Sequence, residues 1–590
     1  MTARAAACMR NTPSSPSQHG GRQLKSEHPI HSAPHMRTAL IKENLMAHKH
    51  PARKEARGEV SRRKFLAGVA VAGAATTAAP PSVSASTAAS AADAAGSRAP
   101  SALPPTMHLA ATETATPKDL GRIKGVPGSD FMVDVIKSLD IKYLPSNPAS
   151  SFRGIHESLI NYGGNKTPEF LTCTHEESAV AIAHGYFKVT GKPLMTLCHG
   201  TVGLQHAAMA IYNAWCDRVP VIVVGGNELD AAHRPPGVPT IHSAQDINAL
   251  VRDYTKWDDT PVSLQHFAQS FVRAYKISMT PPYGPVAIAL DAGLQQEPVK
   301  GNGEKLYVPR YVPTAPPQGD TGAVKEAARL LANAQNPVIV VDRLARTENG
   351  MLLLVQLAEA LQAVVVDQGG RMNFPNTHYL RRPPTAINNA DVVLGMELSD
   401  YWGAVNAFVD NGEHGVGVNT SKVKPDTKLI SISSVDLITK SNYQDQQRFQ
   451  VVDVPMAADA EATLPALIEA VKAAIPNDRK AAIEKRGEAA KRSFAEMMDR
   501  TKQAAALAWD ASPVSTARLA METWAQIKDL DWSLVSVSGV GMNWPNRLWP
   551  IEKHYQWLGA SGGYGVGYGA PAAVGAALAN RDLGRFSVNI

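Results

Sequence analysis

The sequence predicts an α/β protein of three consecutive doubly wound parallel-sheet domains, the third incomplete, preceded by a disordered export leader. Two observations predict it. From about residue 118, apolar residues at helical spacing alternate with short β-branched apolar runs, and no fixed period closes the series into one barrel. A Pro-rich stretch at 307–319 and a charged helical segment at about 478–508 then divide that alternation into three regions. The expected boundaries are 118–300 for the first domain, 320–475 for the second, 476–510 for a helical linker and 511–590 for the third.

Each element has a local reason. Residues 130–139 are amphipathic at helical spacing. A helix is predicted over 176–189, stopped by Thr190-Gly191 and followed by a strand at 193–198. A glycine-bearing loop leads into a helix at 204–215, then a strand at 220–224 ending in Gly225-Gly226. Strand, loop, helix, strand is a parallel βαβ unit. In the second region the pattern predicts helix 323–334, strand 337–341, helix 351–360, strand 363–366 and a later strand at 390–394. In the third, strands are predicted at 533–537 and 586–590, with an Ala-rich helix before the second.

The composition, 44% apolar and 19% charged, is that of a soluble globular protein. The net charge of +6 is unevenly placed. Residues 1–100 carry 14 Lys/Arg against 5 Asp/Glu, and residues 101–590 carry 45 against 48. The body therefore has no electrostatic footprint for nucleic acid. Cys8, Cys173, Cys198 and Cys216 show no metal-site spacing and read as buried thiols.

Ser61-Arg62-Arg63-Lys64-Phe65-Leu66, ahead of a weakly apolar run from Ala67 to Pro80, resembles the twin-arginine export signal. That resemblance implies a signal at 61–85, with cleavage after Val83-Ser84-Ala85, and a periplasmic or extracellular destination. The run is too short and too rich in Ala and Gly for a stable membrane anchor. Residues 1–60 form a leader, with translation expected to start at Met46 or Met36, and 86–117 read as a disordered linker.

Four constellations carry chemistry. Thr174-His175-Glu176-Glu177-Ser178-Ala179-Val180, followed by Gly185-Tyr186 and Thr190-Gly191-Lys192, stands at a strand-to-helix turn. Cys198-His199-Gly200-Thr201-Val202-Gly203-Leu204-Gln205-His206 runs on to Asn213-Ala214-Trp215. Leu144-Pro145-Ser146-Asn147-Pro148-Ala149-Ser150 forms a third loop, and Ser561-Gly562-Gly563-Tyr564-Gly565-Val566-Gly567-Tyr568-Gly569-Ala570-Pro571 the fourth. Together they resemble the thiamine-diphosphate-dependent decarboxylase and carboligase family, over about residues 118–590. The His at 199 and the Asn-Pro loop are closest to its benzoylformate decarboxylase branch, with Ala149 where that branch has Gly.

The resemblance implies a pyrimidine-binding domain at 118–300, a central domain at 320–475 and a diphosphate-binding domain at 511–590. Glu176 would bond to the aminopyrimidine ring of the cofactor and favour the tautomer that activates it. His199 would carry protons near the reacting carbon, an imidazole being suited to that near neutral pH. Ser150 would hold the substrate carboxylate, and His206 is read as structural. Val566 would prop the cofactor into its bent shape, with the backbone of Tyr564, Gly565 and Val566 against its pyrimidine edge; Ser538 and Gly539 would contact diphosphate. His242-Ser243-Ala244-Gln245-Asp246 reads as a surface loop on the substrate side. Val340-Val341-Asp342-Arg343 stands where FAD-binding relatives often carry Gly, so FAD is not supported.

The implied reaction is cleavage or formation of a C–C bond next to a keto group. Decarboxylation of a 2-oxo acid leads, an acetolactate synthase-like carboligation is the alternative, and a non-catalytic fragment or binding protein is a third reading. The implied assembly is a homodimer or homotetramer with cofactor between subunits. In the family, oxygen ligands for Mg²⁺ follow a strand like 586–590. The expectation is thus a C-terminally truncated member, inactive alone, with its metal ligands beyond Ile590.

Overall fold

A computed structural model describes residues 125–228, 241–299, 305–413, 416–437, 448–535 and 543–590. The chain divides into two units, Met1–Thr116 and Pro117–Ile590, and every described residue belongs to the second. The leader and the export signal lie outside the described residues, as do Ser538 and Gly539.

The first sheet has six parallel strands in the order β2-β1-β3-β4-β6-β5. They are β1 Tyr143–Ser146, β2 Glu169–Thr172, β3 Met195–Cys198, β4 Ile222–Asn227, β5 Asp258–Asp259 and β6 Val286–Asp291. Strands β3 and β4 are buried at every position. This is why they read as continuous apolar runs without alternation: helices cover both faces of a parallel sheet. The crossovers are the helices Glu176–Thr190, between β2 and β3, and Gly200–Cys216, between β3 and β4. The first ends where predicted, at Gly191 with φ 67°. The strand order reverses between β1 and β3, so a crevice opens there at the carboxyl ends of the strands.

The second sheet has five parallel strands in the order β13-β12-β9-β7-β8. They are β7 Pro337–Val341, β8 Val364–Asp367, β9 Val392–Met396, β12 Lys428–Ser433 and β13 Val454–Ala457. Between β9 and β12 an antiparallel hairpin, β10 Asn406–Glu413 with β11 Val416–Ser421, projects from the domain. The sequence reading did not foresee it, because its apolar residues are not a core stripe: Val409 and Val418 are 62% and 64% exposed.

The 511–590 region contributes two parallel strands, β14 Trp532–Leu534 and β15 Phe586–Val588. Trp532, Trp549, Leu534 and Val588 join the core of the second sheet, with Trp524 and Trp549 packed on Trp532. The helix Gly569–Asp582 lies instead along Glu176–Thr190 of the first domain. Asp582 at its end takes Lys142 Nζ at 2.7 Å and the Tyr143 hydroxyl at 2.8 Å.

Candidate active site

Four strands of the first sheet deliver polar side chains to one rim. Asn147 and Ser151 follow β1, Glu176 follows β2 after three residues, His199 follows β3, and Glu228 follows β4. All are carboxyl ends, and β1 and β3 flank the reversal in strand order. This is where an open α/β sheet binds a ligand.

Glu176 opens its helix and is 2% exposed. Asn147 Nδ2 donates to Oε1 at 3.2 Å, and His206 Nδ1 lies 3.4 Å from Oε2. His206, expected to be structural, is thus in contact with the carboxylate, its ring stacked on His175 at 4.8 Å. A Cβ on Gly203 would stand 2.9 Å from Glu176 Oε1 and 3.1 Å from His199 Cβ. Glycine at 203 therefore lets the His199 turn close on the carboxylate. His175, Glu176 and His206 bring ligand atoms within 4.8 Å of one another. Two imidazoles and one carboxylate are not the oxygen-rich set that Mg²⁺ takes.

His199 lies at the N-terminus of Gly200–Cys216 and is held at both ring nitrogens. Nδ1 lies 2.8 Å from Ser151 Oγ and Nε2 lies 2.7 Å from His242 Nδ1. Burial pushes the His199 imidazole below its ordinary value, and His242 adds to that; Glu228 and Glu176 pull the other way. Two glycines admit these neighbours. A Cβ on Gly226 would fall 2.4 Å from Ser151 Oγ, and one on Gly200 would fall 2.4 Å from the His242 carbonyl oxygen.

The serine beside His199 is Ser151, 1% exposed, and not Ser150. The two share a short 3₁₀ turn, in which neighbouring side chains diverge. Ser150 is exposed, and its carbonyl accepts from Arg153 Nη1 at 3.1 Å. Arg153 also meets Glu228 Oε1 at 2.5 Å, closing the rim with an ion pair.

In the 561–571 run, the Tyr564 amide donates to Ser561 Oγ at 3.0 Å and the Gly565 amide to Asn213 Oδ1 at 2.9 Å. Tyr564 has φ 55°, and Val566 is 92% exposed, its side chain open to solvent. The Val566 amide and the Tyr564 carbonyl are free of described protein partners. A close main-chain approach to a ligand edge needs such groups.

A second polar centre was missed from sequence. Asp217, fully buried, receives His184 Nε2, Lys188 Nζ and Arg371 Nη1 at 2.7, 2.7 and 2.8 Å, with Arg343 Nε at 3.3 Å. Burial alone would raise its carboxyl, but Arg371, Lys188 and His184 hold it well below the usual range. The next residue, Arg218, pairs with Glu397 of the central domain at 2.8 Å. Lys188, Arg343 and Arg371 of this cluster, with Arg218 and Glu397, line a cavity of about 250 Å³ that Arg346 and His554 also border. Residues so far apart in sequence leave no local pattern. The substrate-side loop of His242 was read from sequence without its bond to His199, and Asp342, on β7's carboxyl end, accepts from Arg343, Ser399 and the Gly370 amide.

Residues 127–246 match the thiamine pyrophosphate enzyme N-terminal TPP-binding domain, and residues 324–467 match the thiamine pyrophosphate enzyme central domain. The chain is 23% identical over 350 residues to the acetolactate synthase large subunit of Buchnera aphidicola, covering 58% of each. It is 24% identical over 229 residues to the benzoylformate decarboxylase of Pseudomonas aeruginosa, covering 37% of this chain and 42% of that one. It thus spans less than two thirds of either relative. Its fold is similar to the crystal structure of benzoylformate decarboxylase from Polynucleobacter necessarius, with TM-score 0.61, 18% identity, and coverage of 78% of this chain and 80% of that one.

Proposed function

We propose that this chain, whose residues 127–246 and 324–467 match the N-terminal TPP-binding and central domains of thiamine pyrophosphate enzymes, serves thiamine-diphosphate-dependent cleavage or formation of a C–C bond next to a keto group, with 2-oxo acid decarboxylation first. The observation that carries this reading is Glu176. A carboxyl group almost wholly out of water, on the rim where the strand order reverses, is placed to exchange a proton with a bound ring.

Thiamine diphosphate, when bound, supplies an electron sink for the bond beside the keto group. Glu176 holds or releases the proton at its carboxyl oxygens, and Asn147 and His206 fix their direction. The Val566 amide, the Tyr564 carbonyl and the outward Val566 side chain support the pyrimidine edge, on a loop that the Gly565 amide ties to Asn213. His199 stands across Gly203 from Glu176 and carries a proton on the substrate side. Its hydrogen-bonded neighbour Ser151 joins Ser150 as a candidate to hold the substrate carboxylate. The exposure of Val566 suits a cofactor between two copies of the chain, and Mg²⁺ is expected to accompany the diphosphate.

The test is the intact natural protein with thiamine diphosphate and Mg²⁺, given pyruvate or benzoylformate. Release of CO₂ with equivalent aldehyde supports a decarboxylase. CO₂ with a condensed hydroxy-keto product supports the acetolactate synthase-like alternative. Absence of cofactor binding by calorimetry would overturn both in favour of a binding protein. Export is tested separately, by cell fractionation with Arg62 and Arg63 both changed to Lys.

A further inference from the structure

His199 and His242 meet nitrogen to nitrogen at 2.7 Å. Such a contact needs one proton between the rings. With none, two lone pairs face each other; with two, two N–H groups collide. The inner end is fixed as well: His199 Nδ1 lies 2.8 Å from Ser151 Oγ, which accepts the Gly200 amide at 3.3 Å. Ser151 can therefore turn its hydroxyl hydrogen toward His199 or take a hydrogen from it. His242 is exposed, and no described protein group engages its Nε2.

We propose that His242 is a second proton-carrying residue of this site, and that the two imidazoles share one proton and titrate as a pair. The use of that proton rests on the 2-oxo acid reading; the pairing does not.

The protons balance. A neutral pair holds two N–H hydrogens on four nitrogens, and a cationic pair holds three. In the cationic pair His199 Nδ1–H donates to Ser151, one hydrogen lies between the rings, and His242 Nε2–H faces outward. Transfer of that outer proton to a substrate carbanion forms a C–H bond and leaves a neutral pair. Solvent returns the proton to the same nitrogen. Glu228 and Glu176 favour the cation, while burial of His199 opposes it. Arg153, paired with Glu228, tempers the pull of that carboxylate. Asp246, on the His242 loop, is engaged by Arg252 at 2.8 Å.

The pairing is read by ¹⁵N-histidine NMR of the intact natural protein without cofactor, titrated from about pH 8 to 5. His199 and His242 are assigned by substitution. The expected result is one protonation step seen by both rings together. His242→Asn can donate to or accept from His199 Nε2 but has no titratable proton. It should leave the His199 tautomer in place, abolish the joint step and lower 2-oxo acid turnover about 100-fold. His242→Phe should also disturb the tautomer. Two independent titrations, or a His199 titration unchanged in both variants, overturn the proposal. A joint step in a protein that turns over no 2-oxo acid leaves the pairing standing and removes the functional reading. Turnover with independent rings overturns the proposal and leaves the 2-oxo acid reading standing.

Discussion

The carbonyl of Ala572 occupies the space that Gly185 leaves empty. A Cβ on Gly185 would stand 2.0 Å from that oxygen, and one on Gly575 would stand 2.0 Å from the Ile182 carbonyl. The helices Glu176–Thr190 and Gly569–Asp582 thus cross backbone to backbone, which only glycines at the crossing permit. Gly185→Val should force the helices apart and cost about 1–3 kcal/mol or more. The measurements are the unfolding midpoint and limited proteolysis, with cleavage expected first within 511–590.

Acid should unfold the protein through His184 and Asp217. Burial pushes the His184 imidazole down to about 4. Between the ordinary histidine value near 6.5 and that point, the unfolded chain holds a proton that the native chain does not. Stability therefore falls as pH drops across that window, by about 3 kcal/mol in all. Asp217, held well below the usual carboxylate range, extends the loss to lower pH. Urea unfolding at pH 7 and 4.5 measures the slope. His184→Gln, which can still donate to Asp217, should flatten it.

Val566 separates ligand support from folding. Its side chain is 92% exposed, so Val566→Ala should change stability by less than about 0.5 kcal/mol. Cofactor-dependent turnover should nevertheless fall, because the removed surface is the one proposed to face the ligand. Calorimetry of the free protein and a cofactor titration check the two halves. A lowered unfolding midpoint with unchanged turnover would make Val566 a packing residue.

The fold was legible where burial is periodic. Strand β7 lies at 337–341 as its apolar run indicates, and the crossover helices begin at or a few residues before their expected starts. Glu176 was legible because one short segment carries both the strand-to-helix turn and its acidic residue. Ser151 was not, since a turn of two adjacent serines does not disclose which one faces inward. The His199–His242 bond joins residues 43 apart, and the Asp217 cluster joins one helix, the end of a second and two loops of the central domain. Contacts of that kind are set by how the sheets pack, which no local spacing encodes.

The central claim is that Glu176 exchanges a proton with the cofactor and thereby activates it. Its most direct measure is deuterium exchange at C2 of thiamine diphosphate bound to the intact natural protein, followed by NMR after an acid quench. Wild type should exchange much faster than free cofactor, and Glu176→Gln should bind cofactor yet slow the exchange about 100-fold or more. Equal exchange in the two proteins, with cofactor bound in both, would contradict the account.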